Sequence, residues 1–198
     1  MSESLHTLAG PCRHAQEIRK SRFLAQAAPV QTIEQALAFL HQVAEPDATH
    51  NCWAYRVGQD YRFNDDGEPG GTAGRPILQA IESAGMDRVV VVVTRWYGGI
   101  KLGAGGLVRA YGGTAAECLR LAERLPLVTR VRVAVRCTFA ELPLLKARLL
   151  ELGAQLERES FDATGATLTC TLPAEQASEA HARVTALTRG RAGLRRLD

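Results

Sequence analysis

Apolar residues recur along the first two thirds of the chain in two patterns, and each pattern predicts a different element. Five consecutive valines within residues 88–95 are typical of a strand that is buried on both faces of a sheet. Residues 50–57 alternate with a period of two, which predicts a strand with its aromatic side chains on one face. Spacings of three and four residues predict helices instead. The predicted elements are strands at 22–30, 50–57 and 88–95 and helices at 33–44, 76–84 and 104–122.

The last third of the chain contains few glycines and a regular alternation of elements. A predicted linker at 125–129 separates it from the rest, so we expect two domains, residues 1–128 and 129–198. The order βαββαβ after the linker is typical of a ferredoxin-like sandwich, in which helices cover one face of an antiparallel sheet. The sequence therefore predicts an α+β protein. The predicted elements are strands at 130–139, 154–161, 166–172 and 194–197 and helices at 141–152 and 175–188.

Composition narrows the class of protein. The chain has 198 residues, 46% of them hydrophobic and 23% charged, which is ordinary for a globular protein. It contains no apolar run of 18 residues, and residues 1–13 lack the apolar core of a signal peptide, so we expect a cytoplasmic protein without a membrane span. The five cysteines are odd in number and form no Cys-x-x-Cys pair, which argues against a disulfide framework and a structural zinc site.

Positive charge is concentrated near the C-terminus. Residues 129–198 hold eleven basic and eight acidic side chains, which accounts for the net charge of +3 of the whole chain. Such a cluster could contact phosphates. It could also be a solvated terminus, and charge alone favours that interpretation. The basic residues of this tail are Arg189, Arg191, Arg195 and Arg196.

Glycine is concentrated in one segment, since twelve of the 18 glycines lie between Gly67 and Gly113. The segment opens with an acidic turn, residues 65–76, in which three carboxylates fall within four residues. Carboxylates at this density can hold a divalent cation or repel one another and raise a pKa for acid–base chemistry. We favour an ordered turn whose carboxylates accept backbone N–H bonds and pair with Arg75. The acidic residues are Asp65, Asp66 and Glu68.

A second glycine-rich stretch, residues 94–107, leads from the valine strand into the long helix. Glycines at the start of a helix let backbone N–H groups face an anion at the positive end of the helix dipole. Arg95 and Lys101 add positive charge, and Trp96 and Tyr97 offer faces on which bases could stack. The stretch is neither a Walker A loop nor a complete Gly-x-Gly-x-x-Gly motif. It suits phosphate or single-stranded nucleic acid, with tight strand–helix packing as the alternative.

A third candidate is the pair of His50 and Cys52, which share one face of the strand predicted at 50–57. A nucleophilic cysteine needs a base within hydrogen-bond reach and an oxyanion hole. The placement of His50 and Cys52 on one strand face does not by itself supply the base contact and the oxyanion hole. A buried cysteine beside a hydrogen-bonded histidine is therefore the interpretation that we favour.

The chain resembles the YigZ/IMPACT family, on its bacterial YigZ-like branch, through several long and ordered segments. They cover the first predicted domain, and the second half is similar to the usual bacterial C-terminal domain of the family. The matching segments are residues 20–23, 48–55, 65–69, 71–76, 95–99, 103, 105–107 and 109–111.

The resemblance implies a fold for each domain. The first is expected to have the fold of the second domain of ribosomal protein S5, and the second to be ferredoxin-like, similar to a domain of elongation factor G. Eukaryotic IMPACT proteins are translation regulators, although they carry a different additional domain. Some bacterial members carry a proline-dipeptidase label, but a metallopeptidase needs a set of His, Asp and Glu ligands that this sequence does not assemble.

Three functions are compatible with these features. We favour a non-enzymatic protein that binds nucleic acid or the ribosome in translation or its regulation, with RNA, the ribosome or a translation-associated protein as partner and with no catalytic residues, metal or cofactor. The alternatives are a metal- or phosphate-dependent hydrolase and a protein-interaction module. The expected nucleic-acid or anion site is Arg95, Trp96, Tyr97, Gly98, Gly99, Lys101, Gly103, Gly105, Gly106 and Arg109, and the surface beside it is His50, Asn51, Asp65, Asp66, Glu68 and Arg75.

Overall fold

The computed structural model describes residues 5–197. The chain divides into two compact units, Met1–Leu127 and Val128–Asp198. Their boundary lies one residue before the predicted one. Both units combine helices with antiparallel sheets, as expected of an α+β protein.

The first unit is built on a five-stranded antiparallel sheet with strand order β2-β3-β6-β4-β5. The central strand β6 contains the five valines and is buried along nearly its whole length, which confirms that both of its faces are covered. The strands are β2 (Cys12–Ile18), β3 (Ser21–Pro29), β4 (His50–Val57), β5 (Asp60–Asn64) and β6 (Val89–Trp96).

Three helices cover this sheet, and they are α1 (Ile33–Val43), α2 (Gly74–Ser83) and α3 (Ala104–Leu121). The alternation along β4 divides the core in two. Cys52 and Ala54 belong to the larger cluster with residues of α2 and α3. Tyr55 lies in a smaller cluster with Ala36 of α1, on the other face of the sheet. The periodicity of β4 therefore predicts the two faces correctly.

Two short strands pair outside the main sheet. They are β1 (His6–Leu8) and β7 (Arg124–Pro126), and Thr7 stands opposite Leu125. The pairing corrects the predicted linker at 125–129, whose first two residues belong to β7. All three residues of β7 are exposed, so the strand carries no apolar alternation that could have predicted it.

The second unit is a four-stranded antiparallel sheet with strand order β11-β8-β10-β9. Its core joins the sheet to two helices through residues such as Leu145, Leu149, Ala180 and Val184. The elements follow the predicted βαββαβ order, with a 3-10 turn before the last helix. They are β8 (Arg130–Cys137), α4 (Leu142–Glu151), β9 (Gln155–Asp162), β10 (Gly165–Pro173), a 3-10 turn (Ala174–Gln176), α5 (Ala177–Leu187) and β11 (Arg195–Leu197).

Of the helices within residues 5–197, none has both the length and the apolar character needed to cross a membrane.

Candidate functional site

A buried ion pair joins the acidic turn to the end of β6. The Arg95 Nη1–H donates to Glu68 Oε1 at 2.6 Å, and the Tyr111 hydroxyl of α3 donates to the same oxygen at 2.6 Å. The Glu68 and Arg95 side chains are only 4% and 6% exposed. Burial raises the pKa of the Tyr111 hydroxyl, so the tyrosine stays a hydrogen-bond donor to the carboxylate. The acidic turn, β6 and α3 are thus tied together at one carboxylate oxygen.

Asp65 explains why the chain turns into α2 at this point. Its Oδ1 accepts the backbone N–H groups of Ala73 at 3.0 Å and Gly74 at 2.8 Å, and its Oδ2 accepts that of Gly71 at 2.8 Å. These bonds satisfy N–H groups at the N-terminus of α2, which starts at Gly74, two residues before the predicted start. The prediction that the carboxylates of the turn accept backbone N–H bonds is confirmed for Asp65 and Asp66, whereas Glu68 accepts side-chain donors instead.

The predicted ion pair of the turn with Arg75 is wrong. Within residues 5–197, the carboxylate of the turn that pairs with an arginine is Glu68, and its partner is Arg95. Arg75 is exposed in the first turn of α2. The reason is that Asp65 fixes the start of α2, whereas Glu68 is directed toward the sheet end where Arg95 lies.

The start of β4 is fixed by the same turn. The His50 Nδ1 lies 2.7 Å from the carbonyl oxygen of Asp66, and the backbone N–H of Asn51 donates to Asp66 Oδ2 at 2.6 Å. The other ring nitrogen of His50, Nε2, lies 3.7 Å from Glu68 Oε1. His50 is therefore hydrogen-bonded as predicted, and it faces the buried carboxylate.

Cys52 does not form a catalytic pair with His50 in this structure. Its thiol is fully buried and donates to the carbonyl oxygen of Asp65 at 3.0 Å. Burial raises the pKa of the Cys52 thiol, which disfavours the thiolate that a nucleophile requires. The predicted buried cysteine is confirmed.

The thiols differ enough in environment to be distinguished chemically. The Sγ atoms of Cys12 and Cys118 lie 3.6 Å apart, and the hydrogen bond from Cys118 lowers the pKa of the half-buried Cys12. We expect iodoacetamide at pH 7.5 to modify Cys12 in the folded protein, because it combines access with thiolate character, and to leave Cys52 unmodified until unfolding. Peptide mass spectrometry over time would measure this. Cys12→Ser is the control, and modification of Cys52 at the rate of Cys12 would contradict the assignment.

The strand–helix loop, residues 97–103, is held against the turn between β2 and β3. Arg95 Nη2–H donates to Ser21 Oγ at 3.3 Å, and the backbone N–H of Gly98 donates to the same oxygen at 3.2 Å. A methyl group at Gly98 would overlap the carbonyl oxygen of Lys20, so only glycine permits this close approach. Ser21 is a site residue that none of the three candidate motifs contains, although it lies in one of the segments that carry the family resemblance.

A cavity of about 420 Å³ lies between the acidic turn and the N-terminus of α3. Glu68, Arg95 and Leu107 are its buried residues, whereas Tyr97 and Lys101 are exposed. A second depression of about 250 Å³ shares Leu102 with the first. Arg19 of the β2–β3 turn and Arg109 of α3 line the second depression, and both are exposed.

The structure brings together most of the predicted nucleic-acid or anion site, but in different environments. Trp96 is partly buried and the Arg22 guanidinium lies 3.8 Å from its ring centroid, so one of its faces is already covered. Tyr97 is 46% exposed and Lys101 is exposed. Arg95 is buried, and its guanidinium binds Glu68 and Ser21 and so holds the loops of the site together. The loop and helix glycines that complete the set are Gly98, Gly99, Gly103, Gly105 and Gly106.

Among residues 5–197, no three His, Cys, Asp or Glu side chains are grouped so that they could hold a metal ion. The three carboxylates of the acidic turn point to separate partners. Asp65 binds the N-terminus of α2, Asp66 binds the Asn51 N–H, and Glu68 binds Arg95 and Tyr111. Each of these carboxylates therefore accepts hydrogen bonds from donors within the protein.

Known protein families match both parts of the chain. Residues 19–119 match the Impact N-terminal domain, and residues 135–191 match a domain of unknown function, DUF1949. An IMPACT family member from Thermus thermophilus is 62% identical over 138 residues, which are 68% of this chain and 76% of the relative. IMPACT family member YigZ of Escherichia coli K12 is 35% identical over 189 residues, 92% of each chain.

A solved structure is similar to this chain over its whole length. It is described as the crystal structure of a hypothetical protein, and it is 34% identical with a TM-score of 0.69, covering 100% of this chain and 99% of the other. The Impact N-terminal match includes Glu68, Arg95 and Tyr111, which meet at the base of the cavity. With both units matched and relatives aligned over most of its length, this chain belongs to the IMPACT family.

Proposed function

We propose that this protein binds RNA or the ribosome through its first unit, in the cytoplasm and in translation or its regulation, without a catalytic step of its own. The observation that carries the proposal is the exposed N-terminus of α3, which lies beside Lys101 and Tyr97 at the rim of a cavity. Anion attraction and a stacking surface occur together here, and single-stranded RNA needs both.

The start of α3 is open to an anion. Gly103, Ala104 and Gly105 are exposed, and no side chain among residues 5–197 caps this helix. The first N–H groups of any helix lack an intrahelical acceptor and carry the positive end of its dipole. A phosphate group at this position would accept hydrogen bonds from them.

Basic side chains extend this positive region along the surface. Lys101 lies at the first cavity, and Arg19 and Arg109 line the depression beside it. All three are exposed, so each can contact a phosphate without losing a buried partner. Their spacing over two adjoining depressions suits a nucleic-acid backbone better than a single small anion.

The state of the buried groups supports a binding role over a catalytic one. Burial raises the pKa of the Cys52 thiol, which donates to the carbonyl oxygen of Asp65, and His50 Nδ1 is hydrogen-bonded to the Asp66 carbonyl oxygen. Glu68 is held by Arg95 and Tyr111. Each group therefore supports the loops that form the cavity. A translation-associated protein that docks on the same surface is compatible with this role.

We also infer that the first unit has the fold of the second domain of ribosomal protein S5 and that the second is ferredoxin-like. The order βαββαβ and the antiparallel strand order β11-β8-β10-β9 support the second assignment. The similarity to a domain of elongation factor G that the family resemblance implies for the second unit supports the link to translation, although a fold is a weaker argument for function than a site.

A salt series with labelled single-stranded RNA tests the proposal. We expect affinity to fall as salt rises, because phosphate contacts release counterions. The double variant Lys101→Gln, Arg109→Gln should bind more weakly and should reduce the slope of log affinity against log salt by roughly 1.4, the value for two lost contacts on a single strand. Fluorescence anisotropy with RNA and with purified ribosomes measures both quantities.

Arg13→Gln is the matched control. Arg13 is an exposed arginine in β2 next to Cys12, whose Sγ lies 3.6 Å from that of Cys118 near the other end of α3. Because α3 has 18 residues, that end is roughly 25 Å from Lys101. The control should bind as the unchanged protein does. Absence of binding to RNA and to ribosomes at low salt, or equal binding by the double variant, would remove the proposal.

A further inference from the structure

The cavity beside α3 has a buried floor and an exposed rim. Glu68, Arg95 and Leu107 are 8%, 5% and 6% exposed, whereas Tyr97 and Lys101 at the rim are exposed. The exposure of the lining side chains thus rises from floor to rim, which means that the cavity opens on one side. Its volume of about 420 Å³ is suited to one small polar molecule or one nucleotide.

The floor carries a hydrogen-bond acceptor that the protein does not use. Glu68 Oε1 accepts both Arg95 and Tyr111, but Oε2 accepts no hydrogen bond from any residue in the range 5–197. Within the same range, two side-chain atoms have no hydrogen-bond partner and are also sealed from solvent, Arg95 Nε and Trp96 Nε1. Glu68 Oε2 is not one of them, so solvent can reach it. Because Glu68 lines the cavity, this oxygen is open to a ligand.

The charges of the cavity determine how a ligand is oriented. Glu68 Oε2 can accept hydrogen bonds from hydroxyl groups, and the pairing of Glu68 with Arg95 leaves the floor without a net positive charge for a phosphate. Lys101 and the N-terminus of α3 attract a phosphate at the rim instead. A ribonucleotide carries both features, a 5′ phosphate at one end and adjacent 2′ and 3′ hydroxyls at the other. Acidic side chains bind ribose hydroxyls in this way in dinucleotide sites. Tyr97 lies at the rim, where a base could stack on its exposed face.

The closed floor also determines which end of an RNA can enter. The chain can leave only through the rim, where the 5′ phosphate of the bound nucleotide lies. The strand therefore continues from that phosphate, and the nucleotide on the floor has no 3′ neighbour. We propose that this cavity binds the 3′-terminal ribonucleotide of an RNA, with its 2′,3′-diol on Glu68 Oε2. The inference rests on the proposed RNA binding and names the part of the RNA that is recognised.

Ligand variants test this without changing the protein. Four RNAs of one sequence, each labelled at the same internal nucleotide, would be compared, ending in a 3′ hydroxyl, a 3′ phosphate, a 2′,3′-dideoxynucleotide, or a 3′ hydroxyl with an added 5′ phosphate. We expect the 3′ phosphate and the dideoxy end to weaken binding roughly tenfold or more, because a hydrogen bond to a charged group is lost. The added 5′ phosphate should change nothing. Adenosine 5′-monophosphate alone should compete weakly.

A protein variant that fills the cavity gives a second measurement. Ala104 is exposed at the start of α3, so Ala104→Leu should fold normally and obstruct the rim. We expect it to lose the preference for a 3′ hydroxyl and to bind RNA more weakly, while the binding that remains through Arg19 and Arg109 still falls as salt rises. Ala116→Leu, at another exposed position of the same helix, should keep the preference.

The outcomes separate this inference from the proposed function. Equal, salt-dependent affinity for all four RNAs would overturn recognition of the 3′ end and leave RNA binding intact. Binding of adenosine 5′-monophosphate without binding of any RNA would overturn both and identify a free nucleotide as the ligand. Loss of the preference in Ala116→Leu to the same extent as in Ala104→Leu would also overturn the assigned position.

Discussion

Glu68→Ala is expected to lower the free energy of unfolding by roughly 3–5 kcal/mol, the usual cost of removing one partner of a buried ion pair. The Arg95 side chain is only 6% exposed, so its charge would remain in the interior without the carboxylate. The Tyr111 hydroxyl would lose its acceptor in the same change. Urea unfolding monitored by circular dichroism would measure the loss.

Two further variants separate charge from packing. Glu68→Gln keeps an oxygen that can accept from Arg95 and Tyr111, so it should cost less than the alanine. Glu68→Ala combined with Arg95→Met should recover part of the loss, because no uncompensated charge is left. A loss below about 1 kcal/mol for Glu68→Ala would contradict this account, since it would equal that of a surface ion pair.

Gly98→Ala is expected to lower the free energy of unfolding by about 3 kcal/mol, at the upper end of the range for overpacking. The added methyl group would overlap the carbonyl oxygen of Lys20 and lie 2.6 Å from the backbone nitrogen of Ser21. Neither backbone atom can move without opening the β2–β3 turn. Because Gly98 lies in the strand–helix loop, the variant should also weaken RNA binding. Thermal unfolding and anisotropy would measure the two effects.

Gly70→Ala is the matched control. Gly70 lies in the acidic turn, and no atom is within 4 Å of the position that a methyl group would occupy. This variant should change the stability by less than about 1 kcal/mol. Equal stabilities of the two variants would mean that Gly98 does not hold the loop against the turn.

Much of the fold follows from local patterns. The valines of β6 predict a strand covered on both faces, and the period of β4 assigns Cys52 and Tyr55 to opposite faces. The pattern fails where a strand contributes little to the core. β5 is mostly exposed, and β2 alternates half-buried with exposed positions, so backbone pairing with a neighbour decides their structure.

The sequence predicts which segments form the site, but it does not predict which side chains of those segments contact one another. Motif spacing predicts that the acidic turn and the loop after β6 are special, and it predicts hydrogen bonds from the turn's carboxylates to the backbone. The choice of Arg95 over Arg75 as partner of Glu68 depends on an approach between residues 27 apart in the chain. That approach results from the packing of α2 and α3 on the sheet, which local sequence does not encode.

The pairing of β1 with β7 has a consequence for how this family can vary. The backbone N–H of Leu127 donates to the carbonyl oxygen of Leu5. The last residues of the first unit therefore lie beside its first strand, β1. The first unit ends at Leu127, and the last strand of its main sheet ends at Trp96. A different module could be spliced on after Leu127 without disturbing the sheet or the cavity. The first unit could therefore be combined with different C-terminal domains.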